Sequence, residues 1–316
     1  MQKQTTGIHH ITAIVGKPQE NVDFYAGVLG LRMVKKTVNS DDPGTYHLYF
    51  GDASGSPGSI ITFFPWPNAY QGRLGSGQVG ITSYVVTEET LGFWEERLTK
   101  FKIIFKKLRR FSEGYLRFQD SHGLNVELVA RKAGANSGWE FGGVPTNKAI
   151  KGFGGAVLLT AAPEKTMKTL VEVMGLEKVG EEGDFFRFQS TSDIGNVIDV
   201  KNVSLPMGSM GVGTVHHIAW RATDFADHNE WRKHVSSFGF DVTPIKDRQY
   251  FDAIYFREDG GILFEIATDP PGFAYDESYG AMGSKLMLLP WLEEKRESME
   301  TTLLPAIPRV LEEDKS

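Results

Sequence analysis

One pattern constrains this chain more than any other: a strand, a helix and three further strands recur four times along 316 residues. The first strands read GIHHITAIV, GQVGITSYVV, GFGGAVLLTA and TVHHIAWRAT. Their starts lie roughly 60–75 residues apart, the size of a small α+β unit rather than a solenoid repeat. Behind each comes an apolar stripe at helical spacing: Phe24, Tyr25, Val28 and Leu29; Leu91, Trp94, Leu98 and Phe101; Met167, Leu170, Val171 and Met174; Trp231, Val235 and Phe238. Three β segments close each unit: MVKKTVN, TYHLYFGD and SIITFFPW in the first, IIFKKLRR, YLRFQD and LNVELVA in the second. The third has KVGEEG, DFFRFQS and NVIDVKN, and the fourth FDVTPIKD, DAIYFRED and GILFEIAT. The Gly- and Asn-rich stretch before residue 152 separates two halves, expected at 1–135 and 150–270. Residues 271–316 form a tail beyond the repeats, with a helix expected from about Leu292 to Leu304.

Composition narrows the chemistry. There is no cysteine, so disulfides, thiolate metal sites and a Cys nucleophile are excluded, and any metal must be held by His and carboxylate. A net charge of −6 gives no basic footprint for nucleic acid. The KKLRR run at 106–110 reads as a solvated strand edge. No apolar stretch approaches a membrane span, and MQKQTTGIHHITAIVG runs straight into a strand-like pattern. A soluble, cytoplasmic protein is the expectation. The Gly-rich residues 51–59 read as a hairpin connection, and no serine nucleophile motif accompanies the histidines.

Four of the eight histidines form two pairs, His9–His10 and His216–His217, at the same place in the first strands of units one and four. Units two and three carry Gly80–Ile81 and Gly155–Ala156 there. Strand alternation predicts that only one member of each pair looks into a given cavity, and the pattern alone does not choose which. Aligning the last strands on their glycines places Glu265, Glu127, Asp199 and Thr62 at one repeat position. Only units one and four supply histidine, so a single competent site is expected. Glu127 and Asp199 are then remnants that hydrogen-bond locally or face solvent. Two imidazoles and one carboxylate on one face of an ion leave positions open, the usual arrangement for non-haem Fe(II); Mn(II) fits similar ligands, and Zn(II) less well.

The stretch HHITAIVGKPQENVDFYAGVLGLRMV resembles the vicinal oxygen chelate superfamily, which includes glyoxalase I, bleomycin-resistance proteins and extradiol dioxygenases. More specific are VKKTVNSDDPGTYHLYFGD, GSIITFFPWP, GTVHHIAWRA, DRQYFDAIYFRED and GGILFEIATDPPGF. Together they resemble the hydroquinone-type ring-cleaving dioxygenases over nearly the whole chain. The resemblance implies an α+β fold in which four βαβββ modules form two cup-shaped mixed-sheet halves. Units one and four are expected to build the metal-bearing cup.

The resemblance also selects the second His of each pair, implying His10, His217 and Glu265 as Fe(II) ligands. It implies contacts near the metal or substrate from His9, Thr12, His216, Arg248 and Tyr255, with His9 or His216 as candidate base. As bare residues, Arg248 would equally form a surface ion pair with Asp247 or Asp252, Tyr255 would be a core aromatic, and Thr12 would reflect strand propensity. The implied partners are a small aromatic substrate and O2, without nucleic acid or membrane; a homo-oligomer is compatible with this. Two other functions suit the same fold: a metal-dependent glyoxalase-type lyase or isomerase, and a non-catalytic quinone- or drug-binding protein.

Overall fold

The computed structural model describes residues 3–315. The first unit runs β1 (Ile8–Val15), α1 (Pro18–Val22, continued by a π-helical stretch Asp23–Val28), β2 (Arg32–Val38), β3 (Tyr46–Gly51) and β4 (Ile60–Pro65). The second runs β5 (Gln78–Val86), α2 (Leu91–Lys100), β6 (Phe105–Arg110), β7 (Glu113–Gln119) and β8 (Asn125–Ala130). The third has β9 (Gly152–Leu159), α3 (Pro163–Lys168, continued by Thr169–Val173), β10 (Glu177–Glu182), β11 (Phe185–Gln189) and β12 (Val197–Lys201). The fourth has β13 (Thr214–Ala222), α4 (Phe225–Ser237), β14 (Lys246–Asp247), β15 (Phe251–Arg257) and β16 (Leu263–Pro271).

Local chemistry explains the helices. Pro18 opens α1, where its missing N–H costs nothing. The Asp224 side chain caps α4 by accepting from the Asp227 amide. The apolar stripes face the core with two exceptions: Val171 and Phe238 remain 37% and 46% exposed, Phe238 because it is the residue that ends α4. The FDVTPIKD segment forms a strand only at Lys246–Asp247, since Pro244 has no N–H to give a ladder. In the tail, the expected helix is shorter: a 3-10 turn at Pro290–Lys295 precedes α5 (Arg296–Thr302).

Among the described residues the strands make two curled eight-stranded mixed sheets, ordered β14-β15-β16-β13-β1-β4-β3-β2 and β10-β11-β12-β9-β5-β8-β7-β6. Each sheet therefore joins an outer pair or an inner pair of units: one with four, and two with three. At the seam, β1 runs antiparallel to β13 and parallel to β4, and β5 runs antiparallel to β9. Of the seam strands, β1, β5 and β9 are buried along their whole length and β13 except at His216 and Arg221, because helices cover one face and the cup interior the other. The tail returns to the edge of the first sheet, where buried Lys35 meets Asp276 at 2.6 Å and Glu277 at 2.5 Å. Leu286, Leu288, Leu289, Leu292 and Met299 pack there with Val38.

The second cup is closed by a charged network. Arg110 donates to Asp199 at 2.7 Å and to Glu127 at 3.1 Å. Arg187 grips Asp199 at 2.7 and 2.9 Å, Arg117 binds Glu127 at 2.8 Å, and the Ser83 hydroxyl adds 2.8 Å to Glu127. Glu127 and Asp199 are thus buried and bonded to arginine, with neither facing solvent. Nearby, burial alone would push the Glu113 carboxyl up. Hydrogen bonds from Arg131, Tyr115 and Arg187 outweigh it and hold the group down at about 2.

Two outcomes follow. Arg110→Ala leaves two buried carboxylates short of a partner and should cost about 3–5 kcal/mol in urea denaturation. A depressed folded-state pKa means that the Glu113 contribution is complete above its ordinary value of 4.5 and is lost as pH falls toward about 2. Glu113→Gln should therefore be less stable at neutral pH and show a flatter stability profile across that acid window.

Candidate metal centre

The seam of the first sheet contains two bulges, and they fall at the histidine pairs. Ile8 lies opposite Trp220 and His10 opposite Ala219, so β1 passes His9 over as an extra residue. Thr12 lies opposite His217 and Ala13 opposite Val215, so β13 passes over His216. A bulge breaks the two-residue alternation and lets consecutive side chains approach each other. Of the expectation that one member of each pair looks into a cavity, the first pair follows it, with His10 alone lining the cavity at this seam, whereas His216 and His217 both line it. His9 Nδ1 is 2.9 Å from His10 Nδ1, and His216 Nδ1 is 2.7 Å from His217 Nδ1. The second seam has matching bulges at Gly80 and Gly154, which puts the third unit's counterpart of the pair at Gly154–Gly155, one residue earlier than the strand alignment implies.

With Nδ1 facing its neighbour, each Nε2 turns inward. His10 Nε2 and His217 Nε2 are 3.3 Å apart, and Glu265 Oε2 lies 3.5 Å from the first and 2.8 Å from the second. All three residues are buried, Glu265 completely. The parallel pairing of β13 with β16 sets Ala219 beside Glu265 and so delivers the carboxylate to the histidines. Neither Glu265 oxygen accepts an aligned hydrogen bond, even at 2.8 Å from His217. The three atoms converge on a shared point instead of on one another.

Such an arrangement fits a cation. Bonds of about 2.1 Å give ligand–ligand edges of about 3.0 Å at right angles and about 3.4 Å at tetrahedral angles. The observed edges span both, so they fit a metal without selecting one. The protonation states fit as well. Burial would raise the Glu265 carboxyl, but His10 and His217 hold it well below the usual range, while burial lowers His217 despite Glu265. Burial, then His10, lowers His9 far below ordinary histidine; burial, then His217, takes His216 down to about 3. For Nε2 to present a lone pair, Nδ1 must carry the proton and donate it to the neighbouring imidazole.

A cavity of about 280 Å³ opens onto these atoms, with Phe64, Trp66, Phe251 and Tyr255 among its walls. His216 lines it; His9 lies behind His10 against Phe251 and hydrogen-bonds to the Thr268 backbone. Arg248 sits at the cavity wall, its Nη1 donating to Ser40 Oγ at 2.7 Å and its Nη2 3.2 Å from Asp41. Its ion-pair partner is thus Asp41, neither Asp247 nor Asp252. Arg248 Nε is 3.3 Å from the Tyr255 hydroxyl, whose pKa burial, then Glu265, pushes up. Thr12 is wholly buried, and its hydroxyl meets Thr62 at 2.8 Å instead of lining the cavity.

The sequence reading missed His47, which bridges the Thr62 and Tyr49 hydroxyls at 2.8 Å each and lines the cavity. It also missed the loop Asn39–Asp42 on the opposite wall. A signal existed: aligning LYFGD with IYFRED makes Tyr49 the counterpart of Tyr255, each lying across a ladder from Thr62 or Glu265. A larger open groove of about 850 Å³ runs between Phe24, Phe118 and Leu311, away from the three ligands.

The family model described as glyoxalase/bleomycin resistance protein/dioxygenase matches residues 7–128 and 152–266. The chain belongs to that superfamily. Within it, the chain is 60% identical over 312 residues to MhqO of Bacillus subtilis (strain 168), assigned as a ring-cleaving dioxygenase; the match covers 99% of this chain and 100% of that protein. It is 32% identical over 313 residues to the chlorohydroquinone/hydroquinone 1,2-dioxygenase of Sphingobium indicum, covering 96% and 97% of the two chains. A crystal structure of a Bacillus subtilis protein assigned as a dioxygenase superimposes with a TM-score of 0.96 at 60% identity, covering 98% of this chain and all of that one. Glyoxalase I from Zea mays, 12% identical, superimposes with a TM-score of 0.62 over 83% of this chain and 92% of its own, which shows the shared superfamily fold alone.

The buried carboxylate yields a test independent of turnover. Glu265→Gln removes the one anionic member of the three ligands while keeping the shape of the side chain. The variant should lose most of the rise in melting temperature that added Fe(II) or Mn(II) is expected to give the unmodified protein, as read by thermal unfolding with and without metal.

Proposed function

We propose that this protein opens the ring of a substituted para-hydroquinone, or a related dihydroxy-aromatic, with O2, using Fe(II) held by His10, His217 and Glu265. Mn(II) would suit the same ligands. One observation carries the reading: three converging ligand atoms border a cavity of about 280 Å³ with aromatic walls and a fixed cation, Arg248. The names of the relatives support the reaction class. When bound, Fe(II) supplies the one-electron chemistry by which O2 reacts with an aromatic ring.

The chain's own residues bind the substrate as an anion. Arg248 is always charged and presents a planar fork, so it favours the ionised form of a ring hydroxyl. Tyr255 keeps its proton and donates it as a hydrogen bond. The Nδ1 atoms of His9 and His216 accept from the ligand imidazoles, which leaves each neighbour an N–H at Nε2. His9 spends its own on Thr268, whereas that of His216 is left for an oxygen in the cavity. In this tautomer His216 donates to the substrate and does not serve as a base. The Phe64, Trp66 and Phe251 rings exclude water from the reacting ring.

Anaerobic loading with Fe(II), followed by oxygen-electrode assays on hydroquinone, methylhydroquinone, chlorohydroquinone and catechol, tests the proposal. Ring absorbance should disappear with stoichiometric O2 uptake; a glyoxalase-type lyase would turn over without consuming O2, and a binding protein would not turn over. Arg248→Met should lower kcat/KM by about a hundredfold. His10→Ala should abolish metal binding and ring cleavage together.

A further inference from the structure

A second chamber of about 270 Å³ adjoins the metal cup. The two share Ser40, His47 and Arg248 as wall residues, and the Arg248–Ser40 hydrogen bond of 2.7 Å stands on that shared wall. The outer chamber differs in character from the inner one. It offers no cluster of metal-ligating groups among the described residues, and its distal walls are Val38, Leu289 and Pro290 with the rings of Tyr250, Tyr275 and Trp291.

Two of those rings are largely exposed. Trp291 is 68% exposed and Tyr275 65%, although both lie on the tail that is otherwise fastened by Lys35 and by the Leu286–Met299 cluster. Leu292, next to Trp291, supplies the packing that holds its turn in place. The chamber also has polar walls at Thr37, Asp247 and Gln249, but exposed aromatics beside Val38, Leu289 and Pro290, next to a reaction site, suit an apolar part of a ligand. Size agrees: a cavity of about 150 Å³ already holds benzene. The inner cavity of about 280 Å³ therefore takes the reacting ring, and the outer one takes a group attached to it.

We propose that the outer chamber is a substituent pocket, and that the preferred substrate is a hydroquinone with a bulky apolar substituent, which Trp291 and Tyr275 of the C-terminal tail contact. The inference rests on the dioxygenase reading for the ring itself, but it concerns what the ring carries. A substituent reaching the chamber displaces Ser40 from Arg248, which turns the guanidinium toward the ring oxygen.

The test is calorimetric titration of anaerobic, Fe(II)-loaded protein with hydroquinone and with tert-butylhydroquinone, alongside oxygen-uptake assays with both. The unmodified protein should bind the tert-butyl compound more tightly. Trp291→Ala and Tyr275→Ala, both at exposed positions, should each weaken that compound by roughly five- to tenfold and leave hydroquinone unchanged. Equal affinities for the two compounds, or variants that weaken both alike or neither, overturn the substituent pocket even if O2 is consumed. The expected binding pattern without O2 uptake upholds the pocket and overturns the dioxygenase reading.

Discussion

The antiparallel pairing of β1 with β13 is the contact on which the site depends. These strands are separated by nearly two hundred residues of chain, and no local interaction brings them together. Their ladder holds the first and fourth units edge to edge, and the parallel neighbour β16 then delivers Glu265 to the same point. Because the histidine pairs sit at bulges within this ladder, its register fixes the direction of four imidazoles at once. A slip of β1 by one residue against β13 would carry His10 and His217 to opposite faces and leave Glu265 with only one of them.

The two cups share one plan and solve one electrostatic problem differently. Each buries carboxylate at the repeat position occupied by Glu265, Glu127 and Asp199. Across the ladder from these lie Tyr255, Arg117 and Arg187, with Tyr49 opposite Thr62. In the second cup the guanidinium groups, with Arg110 between both acids, neutralise the buried charge. In the first, tyrosines replace them, and the Glu265 carboxylate faces the Nε2 atoms of His10 and His217. A cation held by His10, His217 and Glu265, as proposed, would supply the balancing charge that arginine supplies in the second cup.

Much of this was legible in the sequence, because the repeat made four weak signals into one. A lone histidine pair says little, but its recurrence at one repeat position, with the shared carboxylate, marked the two pairs and Glu265, and the family resemblance then chose His10 and His217. The bulges were not legible: they depend on pairing between distant strands, and alternation within one strand predicts the opposite. His47 was missed because a single histidine in YHLYF has no repeat partner; its counterpart across the repeat is Ala253. The loop Asn39–Asp42 and the tail gave no periodic signal, since their positions follow from packing against other units. Pro244 was readable but overlooked, and it shortened β14 to two residues.

Fixing arginine into the second cup has a cost in versatility and a gain in autonomy. Its counter-ion is covalently part of the chain, so no chelator or shortage of trace element can remove it. That half of the molecule serves as ballast, keeping the architecture upright and leaving its twin free to hold the proposed ion. Duplication thereby separates two demands that a single cup would have to meet together, permanence and reactivity.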